Sequence, residues 1–224
     1  MPHLHTYLVS PPLRDLLVKD RKRGHVHVMS AFPWVNDDAP RAAMSILWHI
    51  DARRRLLTVQ SSRAPTAPAL LGDRQSVEDM KDPAAGNELE LQVLIACQKT
   101  PPSQVPESLR AQLKERPEGH TPGTPMPPGK GRAYRSRLVV VPEKERLTWL
   151  ARTFERNGLR VAEEALDVSP LLHANLGRRG RGIPAVEVTA RGTVVDVPAF
   201  TRALRTGIGK GRTYGLGLLR TRRP

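Results

Sequence analysis

The chain holds 7 histidines and a single cysteine, Cys97, so acid–base chemistry near neutral pH falls first to imidazole. Two pairs repeat the His-x-His spacing, His3 with His5 and His25 with His27. Alternate residues share a strand face, so His3 and His5 make the beginning of a metal site. Zinc takes three or four protein ligands, however, and no carboxylate or Cys cluster completes one. No metal is expected. Taken alone, His25 reads as an exposed helix histidine, and His27 as a surface residue facing away from it. The other stretch with chemistry in it is Gly207-Ile208-Gly209-Lys210-Gly211-Arg212-Thr213-Tyr214-Gly215-Leu216-Gly217-Leu218-Leu219. Nucleotide-binding glycine motifs run strand, loop, helix, whereas here the predicted helix comes first and the strand follows. No cofactor is expected. Lys210 and Arg212 stand between closely spaced glycines, where bare backbone lets an anion approach. Gly207, Gly209, Lys210, Gly211 and Arg212 are therefore read as a phosphate-contacting loop.

Charge supports that reading. Lys and Arg number 36 against 22 Asp and Glu, a formal charge of +14, which favours a polyanionic partner through counterion release. After Asp196 no acidic residue follows, while Arg202, Arg205, Lys210, Arg212, Arg220, Arg222 and Arg223 do. Leu204, Ile208, Tyr214, Leu218 and Leu219 run among them, so this is a folded basic face and not a disordered tail. A second basic element, Gly177-Arg178-Arg179-Gly180-Arg181-Gly182, lies between two predicted strands, and Arg135 and Arg137 add further candidate phosphate contacts. Phe, Tyr and Trp number three each with no aromatic run on a strand. That argues against stacking of splayed bases and for recognition of a duplex by its shape.

Elements must position these groups. Residues 4–9 read as a strand and Leu16–Phe32 as a helix stopped by Pro33. Ser45–Asp51 and Leu56–Ser61 read as paired strands across a basic turn, with a weak strand near Val77. Leu89, Leu91, Val93 and Ile95 alternate as a half-buried strand. The Pro-rich stretch of about 99–131 reads as an insertion with one short helix near Glu107–Leu113. Order returns over Tyr134–Val141. A helix opens at Pro142-Glu143 and ends at Asn157-Gly158. Strands near Leu159–Ala162 and Ala185–Ala190, a helix at Val197–Arg205 and a closing strand at Tyr214–Leu219 follow. The expected fold is α+β: two tandem ferredoxin-like (RRM-like, βαββαβ) domains, 1–85 and 86–224. Cys97 reads as a buried strand residue in a reducing compartment. With no apolar run of membrane-spanning length and no signal-peptide layout, a cytoplasmic, soluble protein is expected, with no membrane partner.

The glycine-rich stretch behind a helix at the C-terminus resembles that of CRISPR-repeat endoribonucleases. Four further places are similar to the CasE type: Gly24-His25-Val26-His27-Val28-Met29-Ser30-Ala31-Phe32-Pro33; Leu47-Trp48-His49-Ile50-Asp51 with Leu57-Thr58-Val59-Gln60-Ser61; Arg137-Leu138-Val139 before Glu143 and Trp149-Leu150-Ala151-Arg152; and Gly192-Thr193-Val194-Val195-Asp196 before Pro198-Ala199-Phe200. The resemblance is colinear from first strand to last. It implies a metal-independent endoribonuclease that binds the CRISPR repeat stem-loop in precursor crRNA. Attack by a 2′-hydroxyl at the 3′ base of the hairpin would leave a 2′,3′-cyclic phosphate. The product stays bound, making the enzyme a subunit of the type I-E surveillance complex (Cascade) beside other Cascade subunits. It puts the family histidine at His25 and Lys22 where a tyrosine is usual. Three residues apart on a helix, Lys22 and His25 reach one phosphate together. It also places a basic hairpin at Arg178, Arg179 and Arg181. The lysine at 22 supports an alternative, a non-catalytic hairpin-RNA-binding structural subunit of the same fold. A general basic nucleic-acid-binding protein is the third reading.

Overall fold

The computed structural model describes residues 2–80, 82–100, 138–177 and 182–222. The chain divides into two compact units, Met1–Cys97 with Pro142–Pro224, and Gln98–Val141.

The larger unit begins with β1 (His3–Leu8), α1 (Pro11–Lys19), α2 (Arg21–Ser30), the short α3 (Pro40–Ala43), β2 (Leu47–Asp51), β3 (Leu56–Ser61), a 3-10 turn at Pro68–Leu71 and β4 (Asp73–Asp79). These strands form one sheet in the order β2-β3-β1-β4, every neighbour antiparallel. That is the order of a split βαβ unit, with its second crossover reduced to the 3-10 turn. Period-two alternation sorts the strands: Tyr7, Trp48, Ile50, Leu57 and Val59 join Leu17 and Val28 in a helix-covered core.

The helix expected over Leu16–Phe32 is two helices that meet at Asp20 (φ −143°, ψ 77°). Ser10 caps α1 and two prolines begin it. Asp20 ends α1 and starts α2, accepting the N–H of Arg23 at 3.0 Å. The helical period hides the break because both halves present apolar residues to the same core. Asp20→Ala is expected to cost about 1 kcal/mol, as other lost N-caps do; an unchanged urea midpoint would count against this account of the break. Gly24 permits the close approach, since a Cβ there would sit 3.1 Å from Leu17 Cδ2 and 3.5 Å from Trp48 Cη2.

The second sheet opens with β5 (Glu88–Ala96). The smaller unit contributes one antiparallel pair, β6 (Gln98–Lys99) with β7 (Val139–Val140); the short helix expected near Glu107–Leu113 lies outside the described residues. The chain continues through α4 (Arg146–Glu155), β8 (Leu159–Arg160), β9 (Leu166–Val168), β10 (Leu172–Ala174), β11 (Ile183–Val194), α5 (Val197–Thr206) and β12 (Arg220–Arg222). The sheet runs β10-β11-β5-β12, with β8 and β9 also on β11. Position for position this repeats the first sheet, with the strand beyond β11 broken into pieces. The fold is α+β with antiparallel sheets, as the sequence implies.

The closing strand expected at Tyr214–Leu219 is a correction. Arg212–Tyr214 is a 3-10 turn, and strand pairing begins only at Arg220. Gly215 (φ +75°) and Gly217 (φ +77°) leave the extended region, and the Gly217 N–H donates to the Leu94 carbonyl at 2.7 Å. The alternating apolar residues there are buried as a packed loop, which strand periodicity cannot distinguish from a strand. Cys97 is buried.

Candidate active site

Helix α2 and the glycine-rich loop come from opposite ends of the sequence, and two side chains hold them together. The Arg21 guanidinium, on a residue only 6% exposed, donates from Nη1 to the carbonyls of Tyr214 at 3.0 Å and Gly215 at 3.4 Å. Trp48 Nε1 donates to the neighbouring Thr213 carbonyl at 3.1 Å. Arg21 also lies over the Trp48 ring, 5.7 Å from its centroid, a cation–π contact in a desolvated setting. Burial lowers the Arg21 pKa to about 10, so the cation persists at neutral pH and is satisfied by carbonyls, not by a carboxylate. Neither residue was a candidate from sequence. An arginine at the start of a helix and a strand tryptophan carry no signal until their partners, some 165 to 194 positions away, are known.

The glycines serve this packing first. A Cβ at Gly207 would lie 3.1 Å from Leu47 Cδ1, one at Gly209 3.1 Å from Ile95 Cγ1, and one at Gly211 2.9 Å from Leu216 Cδ1. Their missing side chains thus point into the protein, and all three carry positive φ. Gly207 also ends α5, its N–H bonded to the Ala203 carbonyl at 2.8 Å. Lys210 is exposed at the tip. Arg212 folds back, donating from Nη1 to Thr206 O at 3.1 Å, so it caps the C-terminal end of α5 while remaining partly exposed.

His25 is half-buried on α2, and Lys22 is exposed one turn earlier. Of the two His25 ring nitrogens only Nδ1 is enclosed, without a hydrogen-bond partner. Burial first, and then the charge of Arg41, hold the imidazole pKa below 6.5. Arg41 stands on α3, tied by Nη1 to the Ile46 carbonyl at 2.9 Å. Its own pKa is lowered by burial and by the charge of Arg212. Arg41 is therefore close both to His25 and to Arg212, and among the described residues neither arginine is in an ion pair. Sequence reading missed Arg41, which stands on a helix of only four residues and comes near His25 only through tertiary packing. The cluster lacks a local counter-charge, which is what an approaching phosphate supplies.

Arg135, Arg137, Arg178, Arg179 and Arg181 lie outside the described residues. The stem of the Arg178–Arg181 segment is described. Leu176 bridges Asp20, the Arg21 N–H donates to Asn175 O at 3.0 Å, and a Cβ on Gly177 would meet the Asp20 carboxylate 2.7 Å away. Asn175, Leu176 and Gly177 thus lie against the start of α2. Elsewhere, His27 is bonded to Leu70 O at 2.8 Å, His3 to Asp79 at 2.6 Å, and His5 is stacked on Tyr7. Among the described residues no group of three or more His, Cys, Asp or Glu gathers as a metal site, and no helix is long and apolar enough to cross a membrane.

A family model described as "CRISPR associated protein" matches residues 9–223. The chain belongs to this family. Among solved structures, a Thermus thermophilus Cse3 bound to an RNA representing a pre-cleavage complex is similar at TM-score 0.70 and 20% identity, covering 99% of this chain and 98% of that one. The Escherichia coli K-12 CRISPR-associated protein Cas6e follows at TM-score 0.62 and 18% identity, covering 99% and 100%. A chain of the E. coli Cascade bound to a PAM-containing double-stranded DNA target matches at TM-score 0.53 and 15% identity, covering 99% of each. No curated protein matches. The CRISPR-associated family thus spans both sheets, and the likeness to solved members covers the fold from end to end.

Proposed function

We propose that this protein is a metal-independent endoribonuclease that binds the CRISPR repeat stem-loop of precursor crRNA and cuts at its 3′ base. It then remains on the product as a subunit of the type I-E surveillance complex, in the cytoplasm. The observation that carries the proposal is the half-buried His25 beside Lys22 on α2, with Arg41 near it and Arg212 near Arg41, neither arginine in an ion pair among the described residues. Family membership and fold supply the context: the Thermus relative is bound to RNA and the E. coli relative sits in Cascade.

In this reading the neutral His25 imidazole takes the proton of the ribose 2′-hydroxyl. The 2′ oxygen bonds to phosphorus, the bond from phosphorus to the 5′ oxygen breaks, and the His25 imidazolium gives its proton to that oxygen, so no proton is gained or lost overall. The product is a 2′,3′-cyclic phosphate. Lys22, Arg41 and Arg212 hold the extra negative charge of the phosphorane, where preorganised cations are most effective. Lys210 and the Gly207, Gly209 and Gly211 backbone, with Arg178, Arg179, Arg181, Arg135 and Arg137, take stem phosphates. The division of the chain near residue 85 belongs to the same reading, with 3–79 in one sheet and 88–96 with 159–222 in the other.

A labelled repeat hairpin incubated with the protein in excess EDTA tests it. One discrete cut is expected. Tight binding without a cut favours the structural-subunit reading that Lys22 in place of tyrosine suggests, and neither binding nor cutting overturns both.

The pH dependence gives a second test. His25 must be neutral to accept the proton, so single-turnover rates fall as pH drops through its lowered pKa. Arg41→Gln removes one of the two causes of that lowering. The pKa then rises toward 6.5 and the acid limb of the profile moves to higher pH. A limb that stays in place would show that Arg41 does not act on the titrating group.

A further inference from the structure

Between the two sheets lies a cavity of about 590 Å³ that His25 does not line. His49 forms its floor from β2, with Arg21 beside it, Gln92 on β5 and Arg220 on β12 across from it, and Arg53 and Arg54 at the rim in the β2–β3 turn. His49 points here because strand alternation sends Trp48 and Ile50 into the helix-covered core. It is 5% exposed and hydrogen-bonds to no described residue. Burial and the charges of Arg220 and Arg21 hold its pKa well below 6.5. The imidazole is therefore neutral, with one nitrogen donating and the other accepting.

The guanidiniums around it are incompletely satisfied. The Nε atoms of Arg21 and Arg220 are both buried without hydrogen-bond partners. Two carboxylates share the cavity, but neither reaches hydrogen-bonding distance of a guanidinium: Glu187 lies 3.8 Å from that of Arg220 and Asp51 3.9 Å from that of Arg54. Asp51 Oδ1 is already engaged, accepting the N–H groups of Arg53 and Arg54 at 3.0 Å each. Four arginines thus face two acids, one of which caps its own turn. Buried donors without acceptors are costly, and a small oxyanion removes that cost at Arg21, His49 and Arg220 together.

We infer that this cavity is a second anion site, separate from the cleavage site, which takes one phosphate group held by Arg220, Arg21 and His49. The phosphate is either an internucleotide phosphate of a single nucleic-acid strand or free phosphate. The inference goes beyond the proposed cleavage and does not depend on it.

The test uses the full chain at fixed ionic strength, reading the His49 ring protons by NMR and affinity by calorimetry. One arm adds inorganic phosphate. The other adds hexathymidylate, which has internucleotide phosphates but no 2′-hydroxyl, so cleavage cannot intervene. The His49 signals are expected to shift with at least one of them; phosphate alone identifies the free anion, and the oligonucleotide identifies a strand. Arg220→Gln should weaken that binding about tenfold, the worth of one charge-assisted hydrogen bond, while hairpin cleavage stays at the wild-type rate. Should Arg220→Gln fail to fold, the exposed Arg54→Gln serves, with a severalfold loss expected. Unmoved His49 signals in both arms, affinity unchanged in the folded variants, or a Glu-rich peptide that shifts His49 where phosphate does not, each overturns the inference.

Discussion

His25→Ala is expected to abolish cutting of the repeat hairpin while leaving its binding within about twofold. General acid–base groups contribute roughly 10²–10⁴-fold, so single-turnover rates on a denaturing gel should fall by about that factor. Binding survives because affinity for a folded RNA rests on neutralised phosphates, and the variant removes none of the permanent cations. His25 is neutral near pH 7, its pKa lowered by burial and by Arg41, and so adds little to counterion release. Folding should survive as well, since the ring is half-buried and its enclosed Nδ1 has no hydrogen bond to lose. Cleavage retained at the wild-type rate would remove His25 from the mechanism. A parallel loss of binding would make it a docking residue instead.

Gly215→Ala should be the most damaging one-carbon change near the site. The position sits at φ +75°, which costs an L-residue about 1–2 kcal/mol. The added methyl would lie 2.7 Å from Trp48 Cζ3 and 2.9 Å from Arg21 Nη1, and overpacking of this kind costs about 1–3 kcal/mol more. A total of about 2–5 kcal/mol should appear as a lower urea midpoint. The clash falls on the two side chains that hold the carbonyls of Thr213, Tyr214 and Gly215, so the loop should also shift against α2. Arg212 then leaves the neighbourhood of Arg41 and His25, and the cleavage rate falls more than hairpin affinity does. Equal stability of variant and wild type would mean that the loop is not clamped in solution. Lower stability with an unchanged cleavage rate would mean that the clamp does not position the site.

Much of this was readable from residue order. Val59 stands between Thr58 and Gln60 and Val188 between Glu187 and Thr189, and such strands were legible because a half-buried strand writes its environment into a period of two. The helix read at Val197–Arg205 runs over Val197–Thr206, capped by Asp196, whose carboxylate accepts the Ala199 N–H at 2.9 Å, and ended by Gly207. His25, Lys22 and the glycine-rich loop came from motifs, since their types and spacing are local properties. The break at Asp20 was missed because a capping aspartate inside an apolar helical period interrupts hydrogen bonds and not the pattern. Residues 214–219 were misread because burial of a loop and burial of a strand leave the same alternation.

What the sequence by itself determined is the class of this protein: an α+β fold, a strongly basic composition, and a candidate histidine on a helix that follows the first strand. The tertiary structure alone decided which cations surround that histidine. Arg41 from α3 comes near His25, and Arg212 from the far end of the chain comes near Arg41, where Arg21 and Trp48 hold the glycine-rich loop against α2 and β2. Each of those contacts spans long stretches of sequence, and local patterning reflects only whether a side chain is buried, not what is packed against it.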